Sequence, residues 1–140
     1  MKKHRHPRSN AWAIDYQAHV NALELAQNAG VAHVVLLSAI CVQKPILAFQ
    51  FANIAFEQLL IGSGVAFTIV RPTAFFKSLS GQVDRVKRGK AFLVFGDGTL
   101  TACKPISDDD LAEYIADSLD NESLRNCFLP IGGPGEAIIT

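Results

Sequence analysis

The residue best placed for chemistry is Ser38, which ends the first strongly apolar run of the chain, residues 31–38. This run is rich in β-branched side chains and apolar on both faces, which is typical of a parallel strand covered by helices on both sides. In open α/β sheets, ligands bind at the carboxyl ends of the strands. The sequence therefore predicts that the Ser38 hydroxyl lies at a ligand-binding edge.

Two further positions follow Ser38 at the spacing of the short-chain dehydrogenase site, in which a strand-end serine precedes a Tyr-x-x-x-Lys motif. Phe49 comes eleven residues after Ser38, and Asn53 lies four residues further on, on the same helix face. In that site the lysine lowers the tyrosine pKa, so that the phenol can exchange a proton. Phenylalanine cannot exchange a proton and asparagine carries no charge. Spacing alone therefore favours a strand-end serine near a core phenylalanine.

The elements that would position these residues alternate between helices and buried strands. We expect a helix over Trp12–Gly30 with Asp15 as its cap, a central strand over residues 31–38, a helix over Pro45–Ile61, and a strand over Phe67–Val70 that ends at Arg71-Pro72. This order is typical of βαβ units. It predicts an α/β fold with a doubly wound parallel sheet.

The second half of the chain is more mixed. The pattern predicts an amphipathic helix around Gln82–Arg88, strands over Ala91–Phe95 and Cys127–Ile131, a turn over residues 96–98, and a helix after Ser107. Ser107 is the expected N-cap, with Asp110 at the third helical position and Ile106 and Leu111 at staple positions. Magnesium binding by residues 108–110 is the alternative, but capping explains these carboxylates better because they stand at the positive end of the helix dipole.

Composition excludes several classes of protein. The chain has 140 residues, 13 basic and 13 acidic, and 49% hydrophobic residues, which excludes a disordered chain. Four of the basic residues precede Asn10, so we expect a basic, disordered arm over residues 1–11 and a mildly acidic body. This balance disfavours nucleic-acid binding, and no apolar run is long enough for a transmembrane segment. Cys41, Cys103 and Cys127 lack zinc-site spacing, so we expect no metal.

A phosphate-binding loop is missing from the pattern. No segment combines a strand, a GxGxxG turn and a helix in the order that brings backbone amides to a pyrophosphate. Gly96 and Gly98 follow a strand without a third glycine or a helix, and the glycines at 132–135 have no helix after them.

Several segments resemble the divinyl chlorophyllide a 8-vinyl-reductase family, and three of them are specific to it: residues 38–45, 71–79 and 103–107. Further matching segments are residues 15–21, 34–37, 49–50, 94–98 and 129–135. The resemblance runs from about Ala11 to the end of the chain. It implies an atypical, NmrA-like short-chain dehydrogenase that uses NADPH to reduce the 8-vinyl group of a divinyl tetrapyrrole to ethyl. Family members are much longer and begin with a nucleotide-binding half.

The resemblance therefore implies that residues 12–140 are the C-terminal part of a Rossmann-like NAD(P)-binding domain plus the start of a small substrate region. For the reduction of the vinyl group we hypothesise that Ser38, Cys41 and Lys44 are catalytic and lie near the reacting centre, with Lys44 as a proton source or a partner for a substrate carboxylate. The alternatives are that Lys44 is a solvated loop residue and that Cys41 is a small buried apolar side chain. The remaining roles are implied by the resemblance. It assigns cofactor contacts to Ser38, Asn53, Arg71, Pro72 and Thr73, and a substrate surface to Phe75 and Phe76. The family usually has a basic residue at position 51 and a lysine at position 53, where this chain has Phe51 and Asn53.

Two alternatives remain open beside the reductase: a non-catalytic NmrA-like regulator that binds a dinucleotide, and an inactive fragment of the reductase. The helix after Pro45 is apolar on several faces, which predicts self-association when its covering elements are absent. The resemblance implies a plastid location in a eukaryotic phototroph and a cytoplasmic one in a bacterium.

Overall fold

A parallel sheet organises the chain, for which the computed structural model describes residues 10–93, 102–135 and 138–139. The strands are β1 (His33–Leu37), β2 (Ala66–Pro72), β3 (Ala102–Cys103), β4 (Cys127–Ile131) and β5 (Ile138–Ile139). β1, β2 and β4 pair in that order, all parallel, and β3 pairs with β5 in a separate antiparallel ribbon. Leu37 stands opposite Val70, and Arg71 opposite Pro130, so the carboxyl ends of the three parallel strands meet at one edge.

Helices cover both faces of this sheet. They are α1 (His19–Asn28), which continues a π-helical segment Trp12–Ala18, α2 (Ala48–Gly62), α3 (Phe76–Lys87) and α4 (Asp108–Asp120). On one face, Leu23 and Phe56 from α1 and α2 pack with Ile69. On the other, Leu111 of α4 packs with Val70. Successive strand residues point to opposite faces, so one apolar strand serves two cores.

Local signals correctly predicted several elements. β4 has the predicted bounds, and the Ser107 hydroxyl caps α4 by accepting a hydrogen bond from the Asp110 backbone N–H at 3.0 Å. Ile106 and Leu111 belong to the same buried cluster, as the staple requires. The doubly wound parallel arrangement is confirmed as well.

Other expectations were wrong in detail. Asp15 does not cap a helix, because it lies inside the π-helical segment, where its carbonyl contacts the His19 ring nitrogen. The second helix begins at Ala48 rather than Pro45, after a 3-10 turn at Ile40–Gln43. The helix predicted around Gln82–Arg88 begins earlier and runs over Phe76–Lys87. Its first residue follows directly after Phe75, whose backbone is still extended.

Three expectations concern strands and termini. β1 is an edge strand within the described sheet rather than a central one, and Leu37 is 45% exposed. Residues 91–93 of the predicted Ala91–Phe95 strand are irregular. Asn10 and Ala11, which we expected in a disordered arm, are helical. Residues 1–9, 94–95 and the 96–98 turn lie outside the described residues.

None of the described helices is both long enough and apolar enough to cross a bilayer.

His33 anchors the amino end of the sheet, far along β1 from Ser38. Its Nε2 lies 2.8 Å from the Thr68 hydroxyl, which itself donates to the Leu124 carbonyl at 2.7 Å. Because that hydroxyl proton is committed, Nε2 is the donor to Thr68. Burial, and then the nearby Arg125 charge, lower the pKa of His33 below its usual 6.5, which favours the neutral ring.

Gly133 gives a direct test of how tightly the carboxyl edge is packed. Its backbone N–H donates to the Lys104 carbonyl at 3.1 Å, and a Cβ at this position would overlap the Pro105 carbonyl oxygen. We expect Gly133→Ala to lower the free energy of unfolding by about 1–3 kcal/mol, as overpacking does. Urea unfolding measures it. Gly62→Ala is the control, since nothing lies within 4 Å of a Cβ there. Equal effects of the two substitutions would contradict the close approach.

Candidate functional site

Three polar side chains converge where β1 and β2 end. Ser38 follows β1 directly, and its backbone N–H donates to the Val70 carbonyl at 2.8 Å. Arg71 is the next residue of β2. Glu57 approaches from α2, and its side chain is completely buried. The strand register brings Ser38 and Arg71 together, and the helix supplies the carboxylate between them.

Glu57 accepts hydrogen bonds from both strand ends. The Ser38 hydroxyl donates to Oε1 at 2.5 Å. The Arg71 guanidinium donates through Nε to Oε1 at 3.2 Å and through NH2 to Oε2 at 2.5 Å. This fork geometry uses both carboxylate oxygens and makes the ion pair bidentate. A buried carboxylate is tolerated only when it is paired in this way.

The third strand contributes an aromatic face to the same network. The Arg71 guanidinium carbon lies 4.5 Å from the centre of the Phe128 ring in β4, a cation–π distance. The Arg71 side chain is 15% exposed. The arginine is therefore held on one side by Glu57 and on the other by Phe128, and its charge is directed into the protein.

The loop after β2 is fixed by backbone hydrogen bonds. The Thr73 N–H donates to the Ile131 carbonyl at 2.9 Å, and its hydroxyl donates to the Lys104 carbonyl. Ile106 N–H donates to the Ala74 carbonyl at 3.0 Å. The loop at Pro72–Thr73, which was expected to contact a cofactor, is thus a rigid part of the carboxyl edge.

The other predicted catalytic residues lie in and just after the 3-10 turn that follows Ser38. Cys41 and Lys44 are both exposed, while Val42 between them is buried and anchors the turn. Asn53 is half-buried, and its side-chain amide donates to the Phe49 carbonyl at 2.9 Å, one helical turn earlier. Asn53 is uncharged, unlike the lysine that is usual at this position in the family that the sequence resembles, and its amide is used within the helix.

The two predicted substrate residues have different environments. Phe75 is half-buried against Val70 and Ile106 and lines a cavity of about 440 Å³ at the carboxyl end of β1. The other lining residues are Leu37, Lys77, Ser78, Asp108, Leu111, Ala112 and Ile115. Phe76 does not line it and is 52% exposed on α3. The structure thus brings only Phe75 to the cavity.

Sequence reasoning did not single out Glu57. A signal for it existed, because Glu57 is the only charged residue in the apolar stretch between Pro45 and Gly64. A lone carboxylate in such a helix requires a partner. Only the tertiary structure identifies that partner as Arg71 rather than Lys44.

The buried pair predicts an unequal response to two similar substitutions. We expect Glu57→Gln to lower the free energy of unfolding by about 2–4 kcal/mol, because it leaves the Arg71 charge largely desolvated and unpaired. Glu122→Gln removes the corresponding partner from the exposed Arg125–Glu122 pair, where Glu122 is 81% exposed, and should cost under about 1 kcal/mol. Urea unfolding of both variants compares them. Equal losses would contradict a buried, energetically coupled network.

Comparisons with known proteins agree with the geometry. A profile of the NAD(P)H-binding family matches residues 3–122. The chain is 56% identical over 134 residues to divinyl chlorophyllide a 8-vinyl-reductase, chloroplastic, of Cucumis sativus, covering 92% of this chain and 32% of the relative. The proteins of that name from Zea mays and Arabidopsis thaliana are 52% and 54% identical, covering 92% of this chain and 33% and 32% of the relatives. The chain thus spans about a third of these relatives' length.

Two solved structures share the fold at low sequence identity. The Bordetella bronchiseptica enzyme WbmG, in complex with NAD, superposes with a TM-score of 0.76 at 18% identity, over 99% of this chain and 50% of that one. A putative NAD-dependent epimerase/dehydratase from Bacillus halodurans gives 0.67 at 15% identity, over 98% and 62%. These matches confirm the predicted Rossmann-like architecture. With the family profile covering most of its length, the chain belongs to the NAD(P)H-binding family.

Proposed function

We propose that this chain forms the nicotinamide side of an NADPH-dependent reductase that converts the 8-vinyl group of a divinyl chlorophyllide to ethyl. The observation that carries the proposal is the 52–56% identity to divinyl chlorophyllide a 8-vinyl-reductases across 92% of the chain. The matched region includes the whole carboxyl edge built by Ser38, Glu57 and Arg71. The chloroplastic relatives also support a plastid location.

The carboxyl edge of the sheet suits the nicotinamide end of a dinucleotide better than its pyrophosphate. Ser38 is buried, Thr73 and Asn53 are half-buried, and all three are uncharged polar residues held by hydrogen bonds, a setting that fits the neutral nicotinamide and ribose better than a charged group. Arg71 is turned toward Glu57, so it does not offer its charge to a phosphate. Among the described residues, no glycine-rich turn joins a strand to a following helix, which a pyrophosphate would require. NADPH supplies the hydride when bound.

The residues of this chain would position the cofactor and the substrate and would supply one proton to the vinyl group. Reduction of a vinyl group places a hydride on one carbon and a proton on the other, and no alkoxide develops. A proton-donating tyrosine is therefore not needed, which is consistent with Phe49. The Ser38 oxygen keeps its lone pairs for a cofactor or substrate donor, because its proton is donated to Glu57.

We assign the proton, or the pairing of a substrate carboxylate, to Lys44, whose ammonium is exposed beside Cys41 in the turn after Ser38. Phe75 would offer its ring to the macrocycle from the wall of the cavity, whereas Phe76, the second predicted substrate residue, does not line that cavity. Binding of a dinucleotide without reduction is the second candidate, since Phe49 and Asn53 remove the dehydrogenase proton relay.

A chimera tests the reductase directly. Residues 10–140 replace the matching segment of the Cucumis sativus relative, and the absorbance change on vinyl reduction is followed with NADPH and divinyl chlorophyllide. We expect turnover, and a loss of about 10²-fold or more in kcat for Lys44→Met, the lower range for removal of an acid–base group. Gln43→Met, an equally exposed neighbour, is the control and should retain turnover.

Each result of the chimera has a defined meaning. Unchanged turnover in Lys44→Met would remove its role while leaving the reductase intact. NADPH binding without turnover would favour the regulator. Failure to bind NADPH at all would contradict the proposed function.

Exposed apolar side chains support self-association of the isolated chain. Four neighbouring apolar side chains just before and at the start of α2 are exposed: Ile46 (83%), Leu47 (55%), Phe49 (36%) and Phe51 (45%). Such surface normally lies in an interface. We expect the isolated chain to elute as a dimer or larger species in size-exclusion chromatography at micromolar concentration, and Phe51→Glu to shift it toward monomer. A sharp monomer peak for the unmodified chain would contradict this.

A further inference from the structure

We infer that α3 and the turn after it form a docking surface for an anionic lipid bilayer. The surface combines an apolar stripe (Phe76, Val83 and Val86) with the basic side chains around it. This inference concerns attachment of the protein to a surface and does not depend on the proposed reductase activity. It rests on three features of α3: its exposure, the arrangement of its apolar side chains, and its charge.

Helix α3 contributes little to either core. None of its described side chains is buried, Leu79 being outside that set. Phe76 and Val83 are each 52% exposed, and Val86 is 50% exposed. These positions are seven and three residues apart, so they lie on one side of the helix. An ordered helix with one exposed apolar side is a surface that a partner can cover.

The turn after α3 extends the apolar stripe. Phe92 and Leu93 are also about half exposed. The Gln82 side chain pairs with the backbone of Leu93, and Arg85 Nε donates to the Ala91 carbonyl at 2.7 Å. These bonds hold the turn against the helix, so the two aromatic side chains and their aliphatic neighbours are presented by one ordered unit.

The charge of this unit selects the kind of partner. Residues 76–93 contain one acidic residue, Asp84, and five basic residues: Lys77, Arg85, Lys87, Arg88 and Lys90. With five basic residues and one acid, this segment has a net charge of +4 in a chain that is neutral as a whole. By contrast, α4 carries six acidic residues and no basic one. An anionic partner is therefore attracted to α3 and repelled by α4.

A helix that combines exposed Phe and Val with neighbouring basic side chains has the features of an interfacial membrane helix. Such a helix lies in the headgroup region, buries its apolar side shallowly, and pairs its cations with anionic lipids. A folded protein partner would need a groove that is both acidic and apolar. An anionic bilayer supplies negative headgroups and apolar acyl chains at every point of contact. We therefore assign an anionic bilayer as the occupant.

The test is co-sedimentation of the full chain with vesicles. Vesicles of equal parts phosphatidylglycerol and phosphatidylcholine should bind the protein, and vesicles of phosphatidylcholine alone should bind it at least about tenfold less, because each cation near an anionic surface strengthens binding about fivefold. Raising the salt concentration should weaken binding to the anionic vesicles. No binding to the anionic vesicles would overturn the inference.

Two matched variants test whether the stripe itself is responsible. Val83→Asp with Val86→Asp should reduce vesicle binding by about tenfold or more, because apolar burial is lost and negative charge is added. Leu25→Asp places an acid at a 69% exposed leucine of α1 and should retain binding. Because all three positions are exposed, circular dichroism should show unchanged folding. A variant that fails this check is replaced by Arg88→Glu with Lys90→Glu, for which the same loss is expected.

The remaining outcomes also decide the question. Equal loss in the Leu25 variant would show non-specific adsorption and overturn the inference. If the Val83/Val86 variant instead dissociates an oligomer in size-exclusion chromatography without vesicles, and vesicle binding is unchanged, the stripe is a contact between copies of the chain and the bilayer assignment is wrong.

Discussion

The carboxyl edge of the sheet depends on one buried charge. Glu57 joins α2 to the ends of β1 and β2 through Ser38 and Arg71, and Phe128 extends the contact to β4. Removing a carboxylate from water costs several kcal/mol unless its oxygens are hydrogen-bonded and its charge is paired. Both conditions are met here only when the helix and all three strand ends are in register. The ion pair therefore specifies how these four elements meet.

This pairing also decides which groups remain for a ligand. Arg71 is committed to Glu57, and the Ser38 proton is donated to the same carboxylate. The other groups at this edge are the uncharged Ser38 and Thr73, the exposed Lys44 in the turn after Ser38, and Lys77 and Asp108 in the wall of the neighbouring cavity. The proposed function uses this arrangement: neutral rings would bind at the edge, and the exposed Lys44 would deliver the proton.

The rigid loop after β2 links the edge to the outer part of the molecule. Its hydrogen bonds to the segments at Lys104–Ile106 and Ile131–Gly133 fix where the chain leaves the sheet, and α3 begins there. Among the described residues, none buries the apolar stripe of this helix. A ligand edge and a docking surface would thus be connected by only a few residues. Attachment at α3 would hold the carboxyl edge at a defined distance from the surface.

The sequence by itself determined several local elements and the place of Ser38 at the edge. β4, the Ser107 cap and the position of Ser38 at a strand end follow from side-chain types and spacing, because these features depend on neighbours a few residues away. Only the tertiary structure decided that Glu57 pairs with Arg71, that β1 lies at the edge of the sheet formed by the described residues, and that Arg71 points inward. Each depends on residues distant in sequence, and a pairing across fourteen or more positions leaves no periodic pattern in the chain.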